Sequence, residues 1–203
     1  MKNRSNENDS LQLLFSRIES LADRERVIIA IDGGSASGKT TIAGLLVERY
    51  SCNVFHMDDF FLRPHQRTPQ RLAEAGGNVD RERFLAEVLL PLSEGRAVTY
   101  RPYNCSTRTL APPVTVEPRQ LNIVEGVYSM HPELSGYYSL SVFLDVSPEL
   151  QRERIRKRNA EGLAARFFGE WIPLESLYFD KTSVRDRCDL VIPVGDIKKE
   201  SNE

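Results

Sequence analysis

The chain has 203 residues, 40% hydrophobic and 28% charged, with 27 Lys plus Arg against 29 Asp plus Glu. That size and balance describe one folded domain with a buried core and exclude disorder driven by charge. A formal net charge of -2 offers no general basic field, so no nucleic-acid partner is expected.

No apolar run approaches the roughly 18 residues of a membrane span, and the polar start MKNRSNENDS holds no signal region, which predicts a cytoplasmic protein without a membrane partner. Cys52, Cys105 and Cys188 are odd in number and far apart, which suits a reducing compartment. His56, His65 and His131 fall at no metal-ligand spacing, so no transition metal is expected.

Residues 1–9 carry no periodicity and are expected to be disordered. From Ser10, a candidate cap, Leu11, Leu14, Ile18 and Leu21 recur at three- and four-residue steps. They predict an amphipathic helix over 10–25 that packs on the domain in preference to forming a dimer contact. Val27-Ile28-Ile29-Ala30-Ile31 changes the period, because a continuous, mostly β-branched run is the pattern of a parallel strand buried on both faces. Cys52 to Met57, Leu121 to Val124, Leu140 to Leu144 and Leu190 to Val194 repeat that character. Helical patterns lie between them over Thr40 to Tyr50, Arg81 to Leu92, Pro148 to Asn159 and Ile172 to Arg187, the third opened by Ser147 as cap and Pro148 at the first helical position. The alternation predicts an α/β fold, a five-stranded parallel sheet with helices on both faces, forming a single domain over 1–203. Val98 to Tyr103 and Val114 to Glu117 flank a polar loop and Pro112-Pro113, and predict a small β-hairpin inside one crossover.

Gly33-Gly34-Ser35-Ala36-Ser37-Gly38-Lys39-Thr40 satisfies G-x-x-x-x-G-K-[ST] between a buried strand and a helix, the setting of a P-loop. Glycines let the backbone turn so that successive N–H groups, from Gly33 through Thr41, face a phosphate, and the positive end of the next helix adds to them. Lys39 is placed for the β- and γ-phosphates and Thr40 for Mg²⁺, which makes a nucleoside triphosphate site the firmest expectation. Asp58-Asp59 and Glu125-Gly126 close two further strands, where an open α/β sheet forms its ligand crevice. A carboxylate there can orient Mg²⁺ or accept the proton of an attacking hydroxyl. Arg152, Arg154, Arg156, Lys157 and Arg158 crowd one helix. Either they form a solvated face, or Arg154 and Arg158, at i and i+4, reach the phosphates as part of a mobile lid whose exit spans 160–171. Compactness favours a small-molecule kinase over a motor ATPase, which needs coupling domains.

Taken together, Ile31-Asp-Gly-Gly-Ser-Ala-Ser-Gly-Lys-Thr-Thr41, Met57-Asp-Asp-Phe-Phe61, Asn78-Val-Asp80, Val124-Glu-Gly126, the Arg154 and Arg158 pair and Cys188-Asp-Leu-Val-Ile-Pro193 resemble the uridine kinase branch of the phosphoribulokinase/uridine kinase family, from about Val27 to Gly195. The resemblance implies a P-loop NTPase fold with an arginine-bearing lid, ATP and Mg²⁺ as cofactors, and a small-molecule substrate. It implies Asp58 as catalytic base, with Lys39, Arg154 and Arg158 acting on the transferred phosphoryl group. Thr40, Asp58 and Glu125 would surround the metal. Asp80 would hold ribose hydroxyls, Tyr103 would lie beside a nucleobase, and Phe61 and Arg108 would complete the acceptor contacts. The expected reaction is transfer of the ATP γ-phosphoryl group to the ribose 5′-hydroxyl of a nucleoside such as uridine or cytidine. Nicotinamide riboside, pantothenate or a sugar phosphate is the alternative acceptor. A nucleotide-binding regulatory protein is the alternative of another class, although no N-K-x-D motif is present. A homo-oligomer is compatible with all of these.

Overall fold

The computed structural model describes residues 2–195, with side chains from Asp9 onward. In chain order, α1 (Lys2–Glu19) leads to β1 (Val27–Gly33), α2 (Lys39–Arg49) and β2 (Cys52–His56). A 3₁₀ turn over Met57–Phe60 and the short α3 (Pro69–Leu72) follow. The next helical stretch is α4 (Arg81–Phe84), a π turn (Leu85–Leu89) and α5 (Leu90–Ser93). Four short strands, β3 (Val98–Tyr100), β4 (Tyr103–Asn104), β5 (Thr109–Leu110) and β6 (Val114–Val116), precede β7 (Leu121–Glu125) and β8 (Leu140–Val146). Then come α6 (Pro148–Arg158), α7 (Glu161–Arg166), a second π turn (Phe167–Trp171), α8 (Ile172–Thr182), α9 (Val184–Arg187) and β9 (Leu190–Val194).

The central sheet has the order β2-β7-β1-β8-β9, and every neighbouring pair is parallel. All of β1 is buried, as its β-branched run requires. Its alternate residues feed two cores. Ile28 and Ala30 pack with Phe55, Phe60, Phe84 and Tyr178 on one face, while Val27, Ile29 and Ile31 pack with Leu14, Ile42 and Leu46 on the other. Each fully buried Ile or Leu in such a layer contributes about 1.5–3 kcal/mol of hydrophobic stabilisation. Two antiparallel pairings, β3 with β6 and β4 with β5, form the hairpin expected in the crossover. Among the described residues, no helix is long and apolar enough to cross a membrane.

Three expectations are corrected. First, α1 starts at Lys2 rather than Ser10 and stops at Glu19, so it covers positions read as disordered and falls short of residue 25. The segment before Ser10 holds neither Gly nor Pro to break a helix, and Ser20 ends it by turning its hydroxyl onto Arg17 O at 2.7 Å. Second, the pattern over Ile172 to Arg187 is two helices, because Ser183 adopts φ 48 and terminates α8. Third, π turns interrupt both the Arg81 to Leu92 helix and the lid exit. Each lies just before a proline, Pro91 or Pro173, which lacks an N–H for the i−4 carbonyl and crowds it.

The register brings the chemistry together. Ile31 of β1 pairs with Glu125 of β7, and His56 of β2 pairs with the same Glu125. The carboxyl ends of these three strands are therefore level, and the loops that leave them share one crevice.

Candidate active site

The β1 strand runs straight into the phosphate loop. Gly33 has φ 141, and a Cβ there would lie 2.6 Å from Leu144 O, so the close passage of β8 admits no side chain. Lys39, on the first turn of α2, is buried and donates Nζ to Gly33 O at 2.8 Å and to Gly34 O at 2.9 Å. Its ammonium thus sits within the ring of loop backbone. Asp32, wholly buried beneath the loop, accepts from Gly33 N–H at 2.6 Å, Met130 N–H at 2.9 Å and Tyr178 hydroxyl at 2.8 Å. Burial raises its carboxyl, and these donors together with Lys39 work the other way.

Beside the loop, Thr40 donates its hydroxyl to Glu125 Oε1 at 3.1 Å, and His56 Nδ1 lies 2.6 Å from the same oxygen. The hydrogen bond that His56 donates to Glu125 raises the imidazole above its ordinary range. Burial would raise Glu125 in turn, but the His56 bond, Lys39 and Thr40 hold it below the usual carboxylate range. Asp58 faces the open cleft yet is crowded by protein. Desolvation pushes its carboxyl up, Glu125 adds to that, and Lys39 opposes it. A carboxyl tuned upward at this point can take a proton from an acceptor hydroxyl. Asp59 turns away, within 3.4 Å of the Tyr100 hydroxyl. The Thr40 hydroxyl and the Glu125 and Asp58 carboxylates are hard oxygen donors beside a phosphate loop, a set that fits Mg²⁺, which binds through one or two carboxylates, water and substrate phosphates.

From Ser35 and Asp58 a single cleft of about 880 Å³ runs outward past Phe61, Tyr103, Arg108, Phe167 and Trp171. Phe61, Tyr103 and Arg108 stand on its wall. Asp80 does not line this cleft. It caps α4, accepting from Arg83 N–H at 3.3 Å and Gln66 Nε2 at 2.9 Å, with Arg83 Nε at 3.5 Å and Arg63 at 3.7 Å. A helix that opens at Arg81 turns the carboxylate onto its own first amides. Asn78, two positions earlier, reaches the cleft in its place, alongside Tyr128.

The lid is helical. Its arginines divide differently from the expected pairing. Arg154 reaches the phosphate loop, donating to Ala36 O at 3.3 Å and Ser37 O at 3.5 Å, and it also bonds Gly195 O. Arg158 ends α6 one turn beyond the loop and is exposed. Arg152 and Arg156, both exposed, lie over Phe168 of the lid, 5.5 and 5.2 Å from the ring centroid. On the cleft side, Glu170 pairs with Arg67 at 3.3 Å and Arg166 at 3.2 Å, and Arg166 covers the Trp171 ring at 4.8 Å. Sequence reasoning missed Gln151 and Glu175, both buried against Ser35. The one available signal was a charged residue amid the apolar Trp171-Ile-Pro-Leu174 and Leu177-Tyr-Phe179.

The five-stranded parallel sheet, its phosphate loop and its helical lid define a kinase of the P-loop class. Residues 28–162 match the phosphoribulokinase / uridine kinase family, and the chain belongs to that family. It is an ATP-dependent kinase acting on a small molecule. The chain is similar to the uridine kinase of Macrococcus caseolyticus (strain JCSC5402), with 26% identity over 186 residues, 83% of this chain and 88% of that protein. It is also similar to the uridine kinase of Chloroflexus aurantiacus (strain ATCC 29366 / DSM 635 / J-10-fl), with 26% identity over 185 residues, 83% of this chain and 87% of that one. In three dimensions it resembles the structure of a possible uridine kinase from Bacillus stearothermophilus, with a TM-score of 0.71 at 22% identity, covering 91% of this chain and 98% of that one. At that identity the likeness establishes the fold.

Proposed function

We propose that the protein transfers the γ-phosphoryl group of ATP to the 5′-hydroxyl of a ribonucleoside such as uridine or cytidine. The observation that carries this reading is the continuity of the cleft, which joins the phosphate loop and Asp58 to a chamber walled by Phe61, Tyr103, Tyr128, Phe167 and Trp171. Aromatic walls suit a planar base, which buries its faces against rings.

In this reading the loop backbone between Gly33 and Thr41 cradles the triphosphate, apart from the Gly33 and Ser35 amides held by Asp32 and Glu175, and Lys39 swings from its loop carbonyls to the β- and γ-oxygens. Mg²⁺, held by Thr40 with Asp58 and Glu125 nearby, would neutralise phosphate charge. Asp58 accepts the proton of the 5′-hydroxyl as its oxygen bonds to the γ-phosphorus and the bond to the bridging oxygen of ADP breaks. Arg154 lends positive charge beside the loop, and the lid around Phe167 and Trp171 shields the reaction from water. The three cleft arginines, Arg67, Arg108 and Arg166, favour a second reading in which the acceptor is an anionic alcohol such as pantothenate or a sugar phosphate. Glu170 already pairs with two of them, which weakens that reading.

A phosphoryl-transfer screen over uridine, cytidine, nicotinamide riboside, pantothenate and sugar phosphates, with products identified by mass, tests the choice. A ribonucleoside 5′-monophosphate is the expected product. Transfer to a non-ribosyl alcohol, with none to any nucleoside, would refute it.

A further inference from the structure

The helix that leaves the lid is tied to the phosphate loop by side chains that form one stripe. Trp171, Glu175 and Tyr178 stand at i, i+4 and i+7, and so share a face of the helical stretch running from the lid into α8. Trp171 lines the cleft. Glu175 accepts from Ser35 N–H at 2.9 Å and from the Ser35 hydroxyl. Tyr178 donates to Asp32, directly before the loop, at 2.8 Å. The helix entering the lid makes the matching contact, since Gln151 of α6 donates to Ser35 O at 3.0 Å. Gly34 makes room for this clasp, because a Cβ there would lie 2.6 Å from Gln151 Nε2 and 3.5 Å from Glu175 Oε2. Both ends of the lid therefore meet at Ser35.

A carboxylate buried to 4% exposure is costly, and a purely apolar contact could dock the same helix. What the carboxylate adds is direction, since two donors on one residue fix the rotation of α8 about its axis as well as its distance from the loop. One turn earlier that rotation sets where Trp171 points, and Trp171 carries Arg166 stacked over its ring. Phe167 packs on the same indole, with ring centroids 4.4 Å apart.

We propose that Glu175 is a positioning residue of the kinase reaction: by holding Ser35 through two hydrogen bonds it registers α8, and with it Trp171 and Arg166 of the lid, over the cleft. This role does not depend on which alcohol is accepted. It makes lid closure answer to the conformation of the phosphate loop, and a lid released from that register admits water to the nucleotide.

The test uses two readouts that need no acceptor. Trp171 is the single tryptophan of the chain, so its quenching by acrylamide reports the lid in the protein alone. ADP release from ATP in the absence of any acceptor reports water at the phosphates. Glu175→Ala is expected to raise the quenching constant severalfold and acceptor-free ADP release about tenfold, the scale of a small misplacement near the chemistry, while ATP affinity changes by less than about threefold. Glu175→Gln keeps an oxygen for the Ser35 N–H and is expected to restore most of both. Ser35→Ala, which removes only the hydroxyl and covers the case in which Glu175→Ala fails to fold, is expected to shift both readouts partway in the same direction. Unchanged quenching and unchanged ADP release in Ser35→Ala, or a folded Glu175→Ala protein that matches the wild type in both, would overturn the proposal.

Discussion

The two ends of the cleft are built on different plans. Its phosphate end is one unbroken stretch, Gly33 to Thr41, whose ligand groups are largely backbone amides and whose geometry follows from glycine positions and a helix start. Its acceptor end is collected from distant parts of the chain, with Phe61 after β2, Asn78 before α4, Tyr103 and Arg108 on the hairpin, and Trp171 in the lid. Local, backbone-built sites tolerate little variation and act alike on any triphosphate. Side-chain pockets assembled from loops decide the partner, and which residue of a segment such as Asn78-Val-Asp80 faces the cleft bears on what they can hold.

Substitutions at the two ends should therefore fail in different ways. The largest effect is expected at the phosphate end. Lys39→Met keeps the buried stem but removes the charge, and should lower transfer on the order of 10³-fold with every acceptor alike, measured as ADP release with a thermal melt as control. An effect confined to one acceptor would erase the distinction between the ends.

Next is the junction. Asp58→Asn should lower kcat by about 10² to 10⁴ with little change in ATP binding, while Asp59→Asn, turned toward Tyr100, should cost less than about tenfold. Because desolvation raises the Asp58 carboxyl, kcat should fall as pH drops through a value above the ordinary 3.8 of an aspartate. The base must be ionised to work, so the loss lies on the acid side, and Asp58→Asn should remove that limb. A reversed ranking of the two variants would move the base to Asp59.

A smaller effect is expected in the lid. Arg154→Ala should reduce kcat about tenfold, because its guanidinium lies on Ala36 O and Ser37 O, whereas the exposed Arg158→Ala should stay near the wild type. Equal losses from both would restore the paired arrangement that the i, i+4 spacing suggests.

The smallest is a stability effect. The His56 pKa is raised by Glu125, so its share of the pairing is fully present below the ordinary 6.5 and is lost as pH rises through the raised folded value. Glu125 is lowered, so its share is present above the ordinary 4.5 and is lost as pH falls through the lowered folded value. The difference in melting temperature between the wild type and His56→Gln should accordingly be greatest between those limits and shrink toward alkaline pH. A difference that does not vary with pH would mean the pair carries no charge.

The same division explains what could be read without coordinates. The β1 run and the glycine spacing that follows it determine strand, turn and helix within a few residues, so the sheet and the phosphate loop were legible in the sequence. The hairpin was legible too, because Pro112-Pro113 and alternating β-branched residues act locally. What escaped depends on long-range packing. Asp80 is a short-range cap, and nothing in Asn78-Val-Asp80 tells which of its polar residues faces the cleft. Arg154 and Arg158 are equivalent on a helical wheel, and only the position of the loop against α6 separates them. Glu175 lies 140 residues from its partner Ser35, beyond the reach of any periodic pattern.

The most direct test of the account is the stoichiometry of the reaction at the junction of the two ends. ATP is supplied with uridine, and the ADP released is compared with the nucleoside 5′-monophosphate formed, for the wild type and Asp58→Asn in parallel. The account predicts one monophosphate per ADP in the wild type and a collapse of both together in the variant. ADP formed without any phosphorylated nucleoside, or equal product from Asp58→Asn, would contradict it.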